Sequence, residues 1–232
     1  MVEVDQKPLV TITGISGFLG SHTTLVFLKD GGYRVRGTVR DKNNEAKIAP
    51  LRAAFGDLFS QIELVEADLM DKDSLTRAVA GSTFVVHIAS PVALSFESEA
   101  ESVTPAVNGT KAVVEACHAN GVRRCVITSS ILACQTFSVA DRPANLTFNE
   151  THWSNPDNPE PMGLLFKSKV LAEKAAWEYQ ASLPESERFE IVTILPGWIN
   201  GPPLRTEDFA SGMFVKTLLT GAMEKIDDDG IG

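Results

Sequence analysis

Residues 10–22, VTITGISGFLGSH, decide the reading of this chain. Leu9-Val10-Thr11-Ile12-Thr13 is apolar and β-branched and is bounded by Pro8 and Gly14, the pattern of a buried strand. Gly14-Ile15-Ser16-Gly17-Phe18-Leu19-Gly20 follows at once, with the spacing GxxGxxG. Residues 18–30 then carry apolar side chains at helical spacing (Phe18, Leu19, Leu25, Val26, Leu28) and stop at Gly31-Gly32. A glycine-rich turn between a strand and a helix has a physical use. Glycine permits positive φ and close approach of a pyrophosphate, and the helix N-terminus presents N–H groups that lack intrahelical acceptors. The stretch therefore predicts a dinucleotide site walled by Gly14, Gly17, Phe18, Leu19 and Gly20.

Working outward, further strands are expected over residues 33–40, 62–65, 84–89, 125–128 and 191–195. Helices are expected over residues 43–55, 71–79, 105–120 and 162–182. Pro50 weakens the first of these, and Asp71 or Asp73 is placed to cap the second. Pro105 lies near the start of the third, and Asn120-Gly121 supplies its stop. Strands that alternate with helices imply right-handed parallel βαβ units covered on both faces, a doubly wound α/β fold. Residues 135–161 are rich in Pro, Asn and Asp and read as a long surface loop. The last nine residues, EKIDDDGIG, complete neither a strand nor a helix.

The 232 residues suffice for a sizeable core without staples, and the 44% hydrophobic and 22% charged residues are ordinary globular values. Mean hydropathy is +0.01, and no run of about 18 apolar residues occurs, so no membrane span is expected. The first 15 residues lack a basic start and a long apolar stretch, so no signal peptide is visible. A net charge of −9 argues against a phosphate-backbone binder, and no nucleic-acid partner is expected. Cys117, Cys125 and Cys134 show no metal spacing and read as buried thiols in a reducing cytoplasm. No metal is implied, and the three Asn-x-Thr matches are read as chance.

The expected strand ends supply the remaining candidates. Arg40 closes the second strand, where an acidic residue binds the NAD ribose and an arginine neutralises the 2′-phosphate of NADP. Asp41 follows directly, and Lys47 is placed to assist. Asp68-Leu69 follows the third strand; its carboxylate either accepts a hydrogen bond from an adenine amino group or caps the next helix. His87, inside an apolar strand, reads as a satisfied core histidine. Thr128-Ser129-Ser130 ends the fifth strand, where a hydroxyl can meet a substrate carbonyl. Leu165 and Lys169 share a face of the long helix, one turn apart. Leu195-Pro196-Gly197 follows the sixth strand and either touches a nicotinamide carboxamide or simply ends the strand.

Together these segments resemble the extended short-chain dehydrogenase/reductases of the NAD-dependent epimerase/dehydratase superfamily. The resemblance is nearest to the group of dihydroflavonol, cinnamoyl-CoA and methylglyoxal/aldehyde reductases. It rests on VTITGISGFLGSH, YRVRGTVRDKNN, VEADLMD, VVHIASPV, AVNGTKAVVEAC, VITSS, KSKVLAEKAAWEY and LPGWINGPPL, in family order over about residues 8–220. It implies a Rossmann domain over residues 1–200, the start of a truncated small substrate domain over residues 201–232, and NADP(H) as cofactor. By the same resemblance Ser130 holds the substrate oxygen, and Lys169 holds the nicotinamide ribose. Arg40 and Lys47 meet the 2′-phosphate, Asp68, Leu69, Ala89 and Pro196 complete the cofactor site, and Asn108 is a helix position near it. The family's Tyr-x-x-x-Lys motif puts its tyrosine on Leu165, which has no proton to give, and neither Tyr33 nor Tyr179 falls near that place. Family members also continue through another strand and most of the substrate domain, so a fragment, a splice form or a truncated gene product is expected. Two functions follow: a cytoplasmic NADPH-dependent reductase of a small-molecule aldehyde or ketone, or a non-catalytic NADP(H)-binding homologue. Oligomeric state is not legible in the sequence.

Overall fold

The computed structural model describes residues 7–91, 96–134, 147–157, 163–205 and 210–221. Strand β1 (Leu9–Thr13) is buried along its whole length, which suits its apolar, β-branched sequence and requires neighbours on both sides. The glycine turn leads into α1 (Phe18–Asp30), which ends where Gly31 adopts φ 70° and its N–H donates to the Phe27 carbonyl at 3.2 Å. Then come β2 (Arg34–Val39), α2 (Glu45–Phe55), β3 (Ile62–Glu66), α3 (Lys72–Val79), β4 (Phe84–His87) and α4 (Val103–Ala119). β5 (Arg124–Thr128), α5 (Gly163–Ser182), β6 (Glu190–Ile194) and α6 (Ala210–Leu219) complete the order.

The six strands pair in parallel in the order β3-β2-β1-β4-β5-β6. The chain builds from β1 outward to β3, then returns to the other side of β1 for β4. That reversal opens a crevice at the carboxyl ends of the strands. One face of the sheet packs Val10, Ile12 and Val35 against Leu28 of α1 and Ile48, Leu51 and Phe55 of α2. The other packs Val85, Cys125 and Ile191 against Leu75 of α3, Val113 and Cys117 of α4, and Ala176 of α5. The expected doubly wound α/β fold is the observed one.

Three local differences have physical causes. Pro50 lies inside α2 without ending it, because Ile48, Leu51 and Phe55 are buried and hold the helix to the sheet. α4 starts two residues before Pro105, which therefore sits in the first turn, where its missing N–H has no intrahelical acceptor to lose. β4 ends at His87, two residues short of expectation, because the N–H groups of Ile88 and Ala89 turn to the Thr13 hydroxyl. Asp71 caps α3, its Oδ1 accepting the Ser74 N–H at 3.1 Å. Cys117 and Cys125 are buried, Cys134 is half-buried, and all three are free thiols. Of the expected long loop, residues 135–146 and 158–161 lie outside the described residues, as does the tail from residue 222; residues 147–157 form neither helix nor strand. No described helix is long and apolar enough to cross a membrane.

Candidate functional site: the cleft at the carboxyl edge

A cleft of about 830 Å³ runs along the carboxyl ends of all six strands. It is lined by the glycine turn, Arg40, Asp68, Leu69, Ala89, Ser90, Ser130, Lys169 and Pro196. Of the residues nominated for the cofactor and catalytic site, Lys47 and Asn108 do not line it, and neither do Asp41 and Leu165; the rest do. Lys47 lies exposed on α2 and Asn108 exposed on α4.

The turn is fixed by close packing. Gly14 has φ 71°, and a Cβ there would lie 3.1 Å from Ala89 Cα. A Cβ on Gly20 would overlap the Gly14 carbonyl oxygen. Gly17 differs: its φ is −82°, and a Cβ would meet only the Gly14 oxygen, at an ordinary 3.4 Å. Gly17 is the N-cap of α1, and the first turn has neither a side-chain cap nor an acidic residue. The turn is tied to β2, since the Gly14 N–H donates to Thr38 Oγ1 at 3.1 Å and the Ile15 N–H to the Thr38 carbonyl at 3.3 Å. Arg205 donates from Nη1 to the Ser16 carbonyl, and His22 Nε2 lies 3.1 Å from the Pro202 carbonyl.

At one end of the cleft Arg40 is exposed just past β2 and makes no ion pair among the described residues. Asp41, which follows Arg40 directly, turns to its own loop, where its Oδ1 accepts the Asn43 N–H at 2.8 Å. Asp68 does not cap α3; its Oδ1 accepts the Met70 N–H at 2.8 Å. Leu69 packs against α4, where a Cβ on Gly109 would lie 3.0 Å from Leu69 Cβ.

At the other end Lys169 Nζ donates to Ser90 Oγ at 2.9 Å. Burial depresses its pKa from 10.5 to about 8, and no carboxylate among the described residues pairs with it. Ser130 Oγ accepts the Leu132 N–H at 3.2 Å. Beside it Ser129 donates to Glu173 Oε2, and Trp177 Nε1–H donates to Glu173 Oε1 at 3.3 Å. This buried carboxylate ties the exit of β5 to α5. Leu165 packs with Leu132, Phe166 and Val170. Tyr33 lies against Phe27 and Phe84, and Tyr179 meets His118 Nδ1 at 3.0 Å, so neither phenol lines the cleft.

His87 is the satisfied core histidine expected. Thr13 Oγ1 accepts the N–H groups of Ile88 at 3.0 Å and Ala89 at 3.1 Å, so its own hydrogen goes to His87 Nδ1 at 2.9 Å. That makes His87 the neutral Nε2–H tautomer. Burial, then the Lys169 charge, lowers its pKa from 6.5 to about 4. Sequence reasoning missed Ser90, Glu173 and Arg205. Ser90 was findable, because it follows a strand at the carboxyl edge. Nothing local announces Arg205, which reaches a carbonyl 189 residues away in the chain.

The pattern of the NAD dependent epimerase/dehydratase family matches residues 10–226. Tetraketide alpha-pyrone reductase 1 of Arabidopsis thaliana is 35% identical over 223 residues, covering 94% of this chain and 66% of that protein. Dihydroflavonol 4-reductase of the same plant is 36% identical over 211 residues, covering 88% of this chain and 52% of that protein. Among solved structures, the yeast methylglyoxal/isovaleraldehyde reductase complexed with NADPH superposes with TM-score 0.71 at 28% identity, covering 84% of this chain and 59% of that one. Vestitone reductase from alfalfa (Medicago sativa) gives TM-score 0.72 at 28% identity, covering 91% and 64%. The chain thus spans about half to two thirds of the length of these relatives. With a glycine turn, strand order and cleft of this kind under a match along nearly its whole length, the chain belongs to the NAD dependent epimerase/dehydratase family.

Proposed function

We propose that the chain binds NADP(H) along the carboxyl edge of the sheet and serves the reduction of a small-molecule aldehyde or ketone. Gly17 carries the reading. Packing accounts for Gly14 and Gly20, but the fold itself leaves room for a side chain at residue 17. A pyrophosphate lying on the turn requires that room. The uncapped first turn of α1, free of acidic residues, is electrostatically suited to the same anion. The residues present therefore fit the cofactor. Arg40, exposed and without a carboxylate partner among the described residues, is suited to a 2′-phosphate. Asp68, Leu69 and Ala89 line the stretch between Arg40 and Lys169, and Pro196 faces them from the β6 exit.

The bound nicotinamide supplies hydride. Ser130, whose hydroxyl hydrogen has no acceptor in the chain among the described residues, orients the substrate oxygen. Lys169 holds the ribose with its ammonium hydrogens. Glu173 keeps these two in register by tying Ser129 to the helix that carries Lys169. Leu165 gives no proton, and its packing against Leu132, Phe166 and Val170 favours a second reading, cofactor binding with slow turnover. Three free thiols suit a reducing cytoplasm, and the acidic charge suits no nucleic-acid partner.

The test is calorimetric titration with NADPH and NADH, followed by an aldehyde panel read by nicotinamide absorbance. NADPH is expected to bind about tenfold or more tighter than NADH, through a charge-assisted contact. Turnover is expected well below about 10 s⁻¹, the usual enzyme scale. Absence of NADPH binding overturns the proposal, and fast turnover overturns the second reading alone.

A further inference from the structure

The segment that leaves β6 crosses back over the glycine turn. A Cβ on Gly201 would lie 3.8 Å from the Phe18 ring, the Pro202 carbonyl lies 3.1 Å from His22 Nε2, and Arg205 Nη1 donates to the Ser16 carbonyl. Phe18 and His22 meet edge to face, with ring centroids 4.9 Å apart, so the segment is seated on the start of α1. Within the turn the Gly17 N–H donates to the Gly14 carbonyl at 3.0 Å, and α1 opens with the Ser21 N–H on the Gly17 carbonyl at 2.9 Å. Ser16 stands between these two bonds, on the wall of the cleft. Its carbonyl takes a donor from 189 positions along the chain. A cation at this end gains nothing from α1 itself, because a helix favours cations at its carboxyl end. The amino end favours an anion, and the first turn of α1 holds no acidic residue to supply one.

We propose that Arg205 is a positioning residue for the cofactor's pyrophosphate: it engages the Ser16 carbonyl and holds a positive charge behind the glycine turn. This role rests on the NADP(H) reading above and adds to that site a residue from the far side of β6. A carbonyl oxygen is the negative end of its dipole, and left free beside a pyrophosphate it repels the ligand. A guanidinium on that oxygen offsets the repulsion through a charge-assisted bond. It also fixes the turn before the ligand arrives, which lowers the ordering cost of binding. Arg40 and Lys169 stand at the two ends of the cleft, and Arg205 backs the turn between them. The pyrophosphate is common to NADPH and NADH, so Arg205 serves both, whereas Arg40 answers to the 2′-phosphate alone.

The experiment is calorimetric titration of the full chain with NADPH, NADH and adenosine 2′-phosphate, which has no pyrophosphate. Arg205→Gln loses the charge and is expected to weaken NADPH and NADH alike, by about tenfold, the contribution of one charge-assisted hydrogen bond. Adenosine 2′-phosphate should bind as before, which a general loss of structure would not allow. Arg205→Lys restores a cation and should recover most of the lost affinity. In the unliganded Arg205→Gln chain, amide exchange across residues 14–20 should quicken while that of β3 stays as in the wild type. Unchanged NADPH affinity in Arg205→Gln overturns the proposal, as does an equal loss for adenosine 2′-phosphate or a turn whose exchange does not change. A wild-type chain that binds none of the three ligands overturns the cofactor reading and this role with it, a result told apart because it appears before any substitution is made.

Discussion

Thr13→Val tests the joint between the glycine turn and the β4 exit. Valine keeps the shape of threonine and replaces the hydroxyl with a methyl group. Thr13 is 1% exposed, and its Oγ1 serves three partners: the N–H groups of Ile88 and Ala89, and His87 Nδ1. A buried polar group left without its partner costs about 1–3 kcal/mol. Ile88 and Ala89 line the cleft, where water can replace the hydroxyl, so their share falls at the low end. His87 is 3% exposed, so its Nδ1 has no such remedy. The variant should lose about 3 kcal/mol in urea unfolding followed by circular dichroism. Thr13→Ser keeps the hydroxyl and should lose about 1 kcal/mol, the value of one buried methyl group. A valine variant within about 0.5 kcal/mol of wild type, the scatter of neutral surface changes, would refute the hydrogen-bond reasoning.

Other outcomes follow from the same geometry. Arg40→Ala should weaken NADPH about tenfold and leave NADH nearly unchanged in calorimetry, a modest loss because Arg40 is exposed; equal losses contradict the 2′-phosphate assignment. Leu165→Tyr should raise kcat about 100-fold with little change in NADPH affinity, and an unchanged rate with intact cofactor binding would rule out the missing acid as the limit. His87 should stay in the Nε2–H form at pH 5 by nitrogen NMR; titration near 6.5 would contradict its burial. The unfolded chain takes up that proton near pH 6.5 and the folded chain only near 4. The stability His87 preserves is therefore full above pH 6.5 and is lost as pH falls towards 4, about 3 kcal/mol in all.

Much of the fold was legible because its signals are local. β1 is five apolar or β-branched residues in a row, and a glycine stop closes α1, so no distant contact was needed to read them. Alternation of strand and helix then left parallel pairing as the economical arrangement, and strand ends in such a sheet share one edge. That is why Arg40, Asp68 and Ser130 could be nominated for one cleft from strand-end position, whereas Lys169, on the long helix, was nominated only by the family resemblance. Element ends were harder to read, because they depend on where backbone groups find partners. Ile88 and Ala89 leave β4 for a hydroxyl on β1, and nothing in their neighbours along the chain says so.

Charge states and shared partners belong to the folded molecule. The segment KSKVLAEKAAW shows three lysines and a glutamate on one helix, which reads as a solvated face. Folding separates them: Lys167 pairs with Glu99 at the surface, Lys169 enters the cleft, and Glu173 is buried between Ser129 and Trp177. The sequence carried the residue types and their order along the strands and helices. Three-dimensional packing assigned groups such as Glu173 and Arg205 their dielectric and their partners, because these depend on atoms brought together from 44 to 189 positions apart in the chain.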